Sequence, residues 1–140
     1  MNVKRFLYTS LAVFVFALLW NGIVHMVLLR DANAALDAIA RPAAERNTLL
    51  FLIPAAAVAL LFVYSYALLV RIPGIRRGLA HGAFFGLLAG FLVDLNQFLL
   101  YPIPGSLAFL WFLFGFMEFC IYGALTALLY PANDPETSEG

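Results

Sequence analysis

Four apolar stretches, residues 6–29, 48–70, 79–101 and 107–130, occupy most of this chain. Each is 23 or 24 residues long, more than the roughly 20 an α-helix needs to cross the hydrocarbon core of a bilayer. That core offers no water to backbone N–H and C=O groups, so a spanning segment must satisfy them internally, as a helix does. The expected fold is therefore an all-α membrane protein, an antiparallel bundle of four transmembrane helices forming one domain over residues 1–130. Composition agrees. Only 11% of the 140 residues are charged, against about 25% in a soluble globular domain, so the lipid bilayer is the expected partner. The formal net charge is zero, which gives no reason to expect nucleic acid.

Lys4 and Arg5 precede the first stretch, and Ala32-Asn33-Ala34 looks like a cleavage site. The apolar run is nevertheless longer than the core of a secretory signal, about 7–15 residues, and reads as an uncleaved anchor. Lys4, Arg5, Arg71, Arg76 and Arg77 fall at one end of the bundle, Arg30, Arg41 and Arg46 at the other. The excess of basic residues marks the cytoplasmic side, so both termini are expected inside. Chain brevity and simple topology suggest a bacterial cytoplasmic (inner) membrane. In the longest loop, residues 33–40 read as a short helix capped by Asp31 or Asn33, with Leu36 and Ile39 as its apolar stripe. Pro42 suits a first helical turn, which would start the second helix ahead of its span. The last ten residues, 131–140, read as a disordered polar tail in the cytoplasm.

The third stretch carries Gly78, Gly82, Gly86 and Gly90 at four-residue intervals. Glycine at this spacing clears side chains from one stripe and lets another helix approach closely. The partner is either a helix of the same bundle or, in a homo-oligomer or larger membrane complex, a helix of another chain. An oligomer joined through the stripe is the expected architecture.

Polar residues continue from there. Asp94 extends the glycine series, and Gln97 lies close to the same face. Glu118 is near the middle of the fourth stretch, and Asn21 and His25 are four apart in the first. At about 1.5 Å rise per residue, Asn21 matches Asp94 in depth and His25 matches Gln97, with Glu118 near the centre. An ionised Asp at a helix centre costs about 2.5–3.5 kcal/mol even on insertion scales. No Lys or Arg lies within a span to offset that cost. The expectation is a buried cluster in which His25, Asp94 and Glu118 share a proton. Hydrogen-bonding glue between helices is the plainer use of the same residues. Trp20 and Trp111 read as packing or interface aromatics, Tyr8, Tyr101 and Tyr130 as interfacial belts, and His81 as an interfacial residue beside Arg76 and Arg77.

Several chemistries find little support. The two histidines are too far apart along their helices for one haem iron. Cys120 is a lone thiol with no metal-binding spacing around it, and no phosphate-binding Gly-Lys-Ser/Thr loop occurs. His25, Asp94 and Glu118 have the donor types of a weak metal site, but no cofactor is expected. The best reading is a channel or carrier component handling a proton, a cation or a small solute at Asn21, His25, Asp94, Gln97 and Glu118. A structural or assembly subunit comes next, and a membrane enzyme holding a metal or quinone third.

Overall fold

The computed structural model describes residues 2–37, 39–72 and 74–130, without the side chains of Ala43 and Thr48. The tail expected to be disordered, residues 131–140, lies outside them. Among the described residues the chain is entirely helical, and four helices are long and apolar enough to cross a membrane. These are α1 (Val3–Leu28), α2 (Thr48–Leu69), α3 (Ile75–Leu100) and α4 (Gly105–Leu129). Their lipid-facing surface is what water would not tolerate: Leu19 is 62% exposed, Leu92 65% and Phe109 63%.

Helices α1 and α3 begin three to four residues before their apolar stretches because local chemistry lets them. Asn2 caps α1 through Oδ1, which accepts from the Arg5 N–H at 3.1 Å. Gly74, at φ 140°, turns the chain into α3, placing Arg76 and Arg77 in its first turn. The second helix does not start early. Pro42 instead precedes a separate 3₁₀ turn, Ala43–Glu45, and α2 starts at Thr48, capped by Asn47. The loop helix also differs from expectation. It starts at Arg30 with no side-chain cap and tightens to a 3₁₀ turn at Ala34–Leu36. Asn33 is released from capping, Leu36 packs on the bundle, and Ile39 stays exposed.

The glycine stripe of α3 lies against α4 of the same chain. A Cβ on Gly78 would collide with the Gly123 carbonyl, and one on Gly82 with the backbone of Phe119 and Cys120. One on Gly86 would sit 3.0 Å from the Phe116 Cα, and one on Gly90 would clash with the edge of the Phe112 ring. Partner positions on α4 fall from 123 to 112 as the glycines advance. All four glycines are buried, so the stripe is not free to join copies. That corrects the expected route to an oligomer: the surface it needs is already covered by α4.

Side chains hold the other contacts. Val13 and Ala17 of α1, Ala59, Phe62 and Val63 of α2, and Tyr122 of α4 form a buried layer at mid-bundle. At the distal end, where α1 finishes and α4 begins, Val24 and Leu29 meet Ile103, Leu107 and Ala108. At the proximal end, where α1 begins and α4 finishes, Tyr66, Ala127 and Tyr130 pack with Phe6. Tyr130 is therefore buried rather than part of an interfacial belt, whereas Tyr8 and Tyr101 are exposed. His81 is not interfacial either. It lies between the rings of Phe62, Tyr66 and Phe85, and its Nε2 is 3.1 Å from Ser65 Oγ, which donates to the Phe62 carbonyl.

Replacing Gly82 with Leu is expected to lower the thermal midpoint in detergent, a loss of about 3 kcal/mol or more, because backbone rather than a mobile side chain blocks the added atoms. Gly22→Ala, with nothing within 4 Å of the added carbon, should leave the midpoint unchanged or raise it slightly. Equal effects from the two would show that α3 and α4 are not in backbone contact.

Candidate functional site

Between α1, α3 and α4, in the distal half of the bundle, lies a cavity of about 600 Å³. Its wall includes Asn21 and His25 from α1, Asp94 and Gln97 from α3, and Glu118 from α4. All five polar residues singled out in the sequence therefore face one space. Trp20, Trp111, Phe114 and Phe119 supply most of the remaining wall, and Val58 of α2 closes its side.

Two irregularities in the helices place this wall. Val24–Leu28 of α1 and Gly90–Leu95 of α3 are π-helical, and they carry His25 and Asp94 respectively. A π-turn adds a residue to the turn, locally changes the direction of side chains, and is frequent at functional sites. On α3 it begins where the glycine stripe ends. Gly90 still faces Phe112, whereas Asp94 comes up beside Gly115, whose missing side chain leaves it room: a Cβ there would lie 3.9 Å from Asp94 Oδ2. Asp94 also borders a smaller cavity of about 210 Å³ beside Phe98, Phe109 and Phe112. Half-buried between the two spaces, its carboxyl group makes no side-chain hydrogen bond among the described residues.

Glu118 is placed differently. It is buried, 9% exposed, and its Oε1 accepts from Asn21 Nδ2 at 2.6 Å and from the Tyr122 hydroxyl. Side chains tilt toward a helix N-terminus, which takes Glu118 one layer distally to the depth of Asn21. Asn21 thus bonds Glu118, not the Asp94 it matches in depth, and a second donation, to the Ala17 carbonyl at 2.9 Å, fixes its amide. Tyr122, one turn below Glu118 on the same face, is the only donor α4 itself supplies. Both bonds reach one acceptor oxygen, and each is stronger to a carboxylate than to a neutral acid. Oε2 keeps no side-chain hydrogen-bond partner among the described residues.

His25 lines the same space but makes its hydrogen bonds at the rim, not to either carboxyl group. Its Nδ1 lies 3.4 Å from Asn33 Nδ2, which also donates to the His25 carbonyl at 3.2 Å. Asn33 Oδ1 in turn accepts from Trp111 Nε1 at 3.3 Å. One loop amide thus ties α1 to α4 across the distal rim. This role went unseen because Asn33 reads as a helix cap, and only its spacing of eight from His25 hints at it. Trp20 is anchored likewise, donating to the Phe114 carbonyl at 3.3 Å while it stacks on Phe16. Both tryptophans are fixed parts of the cavity wall rather than general packing. Gln97 lines the open distal edge and makes no side-chain hydrogen bond among the described residues.

His25 makes no hydrogen bond to Asp94 or Glu118 among the described residues, so the three groups share a space without being bonded to one another. Among the described residues no three His, Cys, Asp or Glu side chains come close enough to hold a metal ion, and Cys120 is a free thiol elsewhere on α4.

Removing one donor from Glu118, by Asn21→Ala or Tyr122→Phe, should cost about 0.5–1.5 kcal/mol of stability in detergent. The double variant should lose more than the sum, because Oε1 is then buried without a partner. Strict additivity would show that the two bonds do not act on one group.

No protein family, characterised protein or solved structure matches this chain.

Proposed function

We propose that this chain is a carrier component that takes up a small cation or exchanges a proton in the distal cavity, with Asp94 as the group that receives it. The reading places four antiparallel helices across a bacterial cytoplasmic membrane with both termini inside, so that the cavity opens outward. The observation that carries it is Asp94, a carboxyl group without a hydrogen-bond partner among the described residues, in the wall of a cavity large enough for a ligand. Sites for small molecules run from about 300 to 1,000 Å³, and ionisable groups inside a membrane domain are costly enough to imply a use. Glu118 is a weaker receiver because two donors already occupy one of its oxygens. A carrier fits better than an open pore. The buried apolar layer of Val13, Ala17, Phe62, Val63 and Tyr122 packs about one turn below the cavity, where an open pore would need a polar lining.

A second reading rests on the Asn21–Glu118 bond. It links α1 to α4, as polar glue in a structural or assembly subunit would, and on that reading Asp94 is incidental.

The two separate in proteoliposomes, with proton flux followed by an entrapped pH-sensitive dye and with uptake of methylammonium. Asp94→Asn should reduce flux at least tenfold with the thermal midpoint unchanged, since the native side chain makes no hydrogen bond to lose. Glu118→Gln should lower both flux and midpoint. Wild-type flux from a folded Asp94→Asn protein would reject the carrier reading and leave the structural one.

A further inference from the structure

At the opposite end of the bundle, the turn from α2 into α3 encloses a second cavity, of about 430 Å³. Nothing in the distal site reaches it. Its polar lining is Arg71, Arg77 and His81, and its apolar lining is Leu69, Val70, Ile72 and Ala80. Among the described residues no acidic side chain lines it. Arg76 is next to Arg77 in sequence but does not line the space. A step of one residue on a helix turns a side chain by about 100°, which carries Arg76 to another face.

We propose that this cavity binds the phosphate of an anionic lipid headgroup, held by Arg71 and Arg77. Guanidinium groups match phosphate oxygens in both charge and fork geometry. Two of them from separate elements, one on the turn and one on α3, can grip a phosphate from two sides. The floor is rigid, because His81 is buried, tied to Ser65 and packed between the rings of Phe62, Tyr66 and Phe85. A free phosphate ion shares the chemistry of the headgroup. The four apolar wall residues, at the end of two membrane helices, favour the source that brings acyl chains with it. The proposal does not depend on what the distal cavity takes.

Purified full-length protein in mixed micelles tests it, with bound lipid read by native mass spectrometry and by the shift in thermal midpoint. Phosphatidylglycerol should be retained and should raise the midpoint; phosphatidylcholine, with no net charge, should do neither. Arg71→Gln and Arg77→Gln should each weaken phosphatidylglycerol binding about fivefold, the usual effect of one basic residue at an anionic membrane surface. Arg76→Gln removes the same charge outside the cavity and should change binding less than twofold. An equal loss from Arg76→Gln would overturn the site in favour of a diffuse basic surface. Equal retention of both lipids, or inorganic phosphate binding as tightly as phosphatidylglycerol, would overturn the lipid assignment.

Discussion

Gly78, Gly82 and Gly86 bring the backbone of α3 against that of α4 at Gly123, Phe119 and Phe116, closer than side chains allow the other helices to come. In lipid, helices gain little from burying apolar surface against each other, because acyl chains are as apolar as leucine; dispersion at close range and hydrogen bonds decide the packing. A seam of backbone contact is therefore the firmest joint this bundle has. Its consequence is spatial. With α3 held to α4 along its first four turns and α1 resting on α2 and α4, nothing fills the distal gap between α1 and α3. The cavity is what that arrangement leaves. The π-turn at Gly90–Leu95 begins at the last glycine and delivers Asp94 to the gap.

The parts legible in the sequence are those set by local constraint. Four spans follow from length and hydropathy, and the glycine spacing announces a close helix contact whatever its partner. Five polar residues expected in one buried cluster do line one space, but only Glu118 is buried; Asn21, His25 and Gln97 are exposed at its edge. What stayed hidden depends on tertiary contacts. A periodicity of 3.6 residues carries no sign that α1 and α3 each lose register at Val24 and Gly90, so the pairing of Asn21 with Glu118 could not be read from depth alone. His81 looks interfacial in a linear view because two arginines stand nearby. Only the packing of Phe62 and Phe85 shows that it points inward. Asn33 has the residue type of a cap and spends its amide on His25 and Trp111 instead.

Where α1 meets α4, polar groups are divided between the two ends. Distally, Asn21, Glu118, Tyr122 and both indoles have partners. Proximally, the hydroxyls of Thr9, Ser10, Tyr66 and Thr126 are buried with none among the described residues. Thr9 lies on the α1 face that carries Val13, Ala17 and Asn21 at four-residue steps, and Thr126 continues the Glu118–Tyr122 face of α4. The same seam thus runs from a satisfied polar network, through the apolar layer of Val13 and Ala17, to unsatisfied hydroxyls. Buried hydroxyls without partners are destabilising, which makes the proximal seam the less settled half of the interface between α1 and α4.

That asymmetry bears on how a carrier of this design would alternate its access. The α3–α4 pair cannot slide without driving backbone into backbone, so it moves as one body. The α1–α2 pair meets it through side chains: Phe62 against His81, Phe85, Phe119 and Tyr122, and Asn21 against Glu118. Aromatic edges can change partners at modest cost, whereas the Asn21–Glu118 bond is a polar latch facing the cavity, beside the bond from Trp20 to the Phe114 carbonyl. Rocking one hairpin on the other would close the distal gap and part the layer of Val13 and Tyr122 beneath it, exposing Thr9 and Thr126 to solvent. Proton or ligand occupancy at the acidic wall would bias such a motion only through different contacts in the two states, and Glu118 is the acidic group whose contacts cross from one hairpin to the other. On the proposed carrier reading Asp94 would receive and Glu118 would couple, because one carboxyl group is unpartnered among the described residues and the contacts of the other cross between the hairpins.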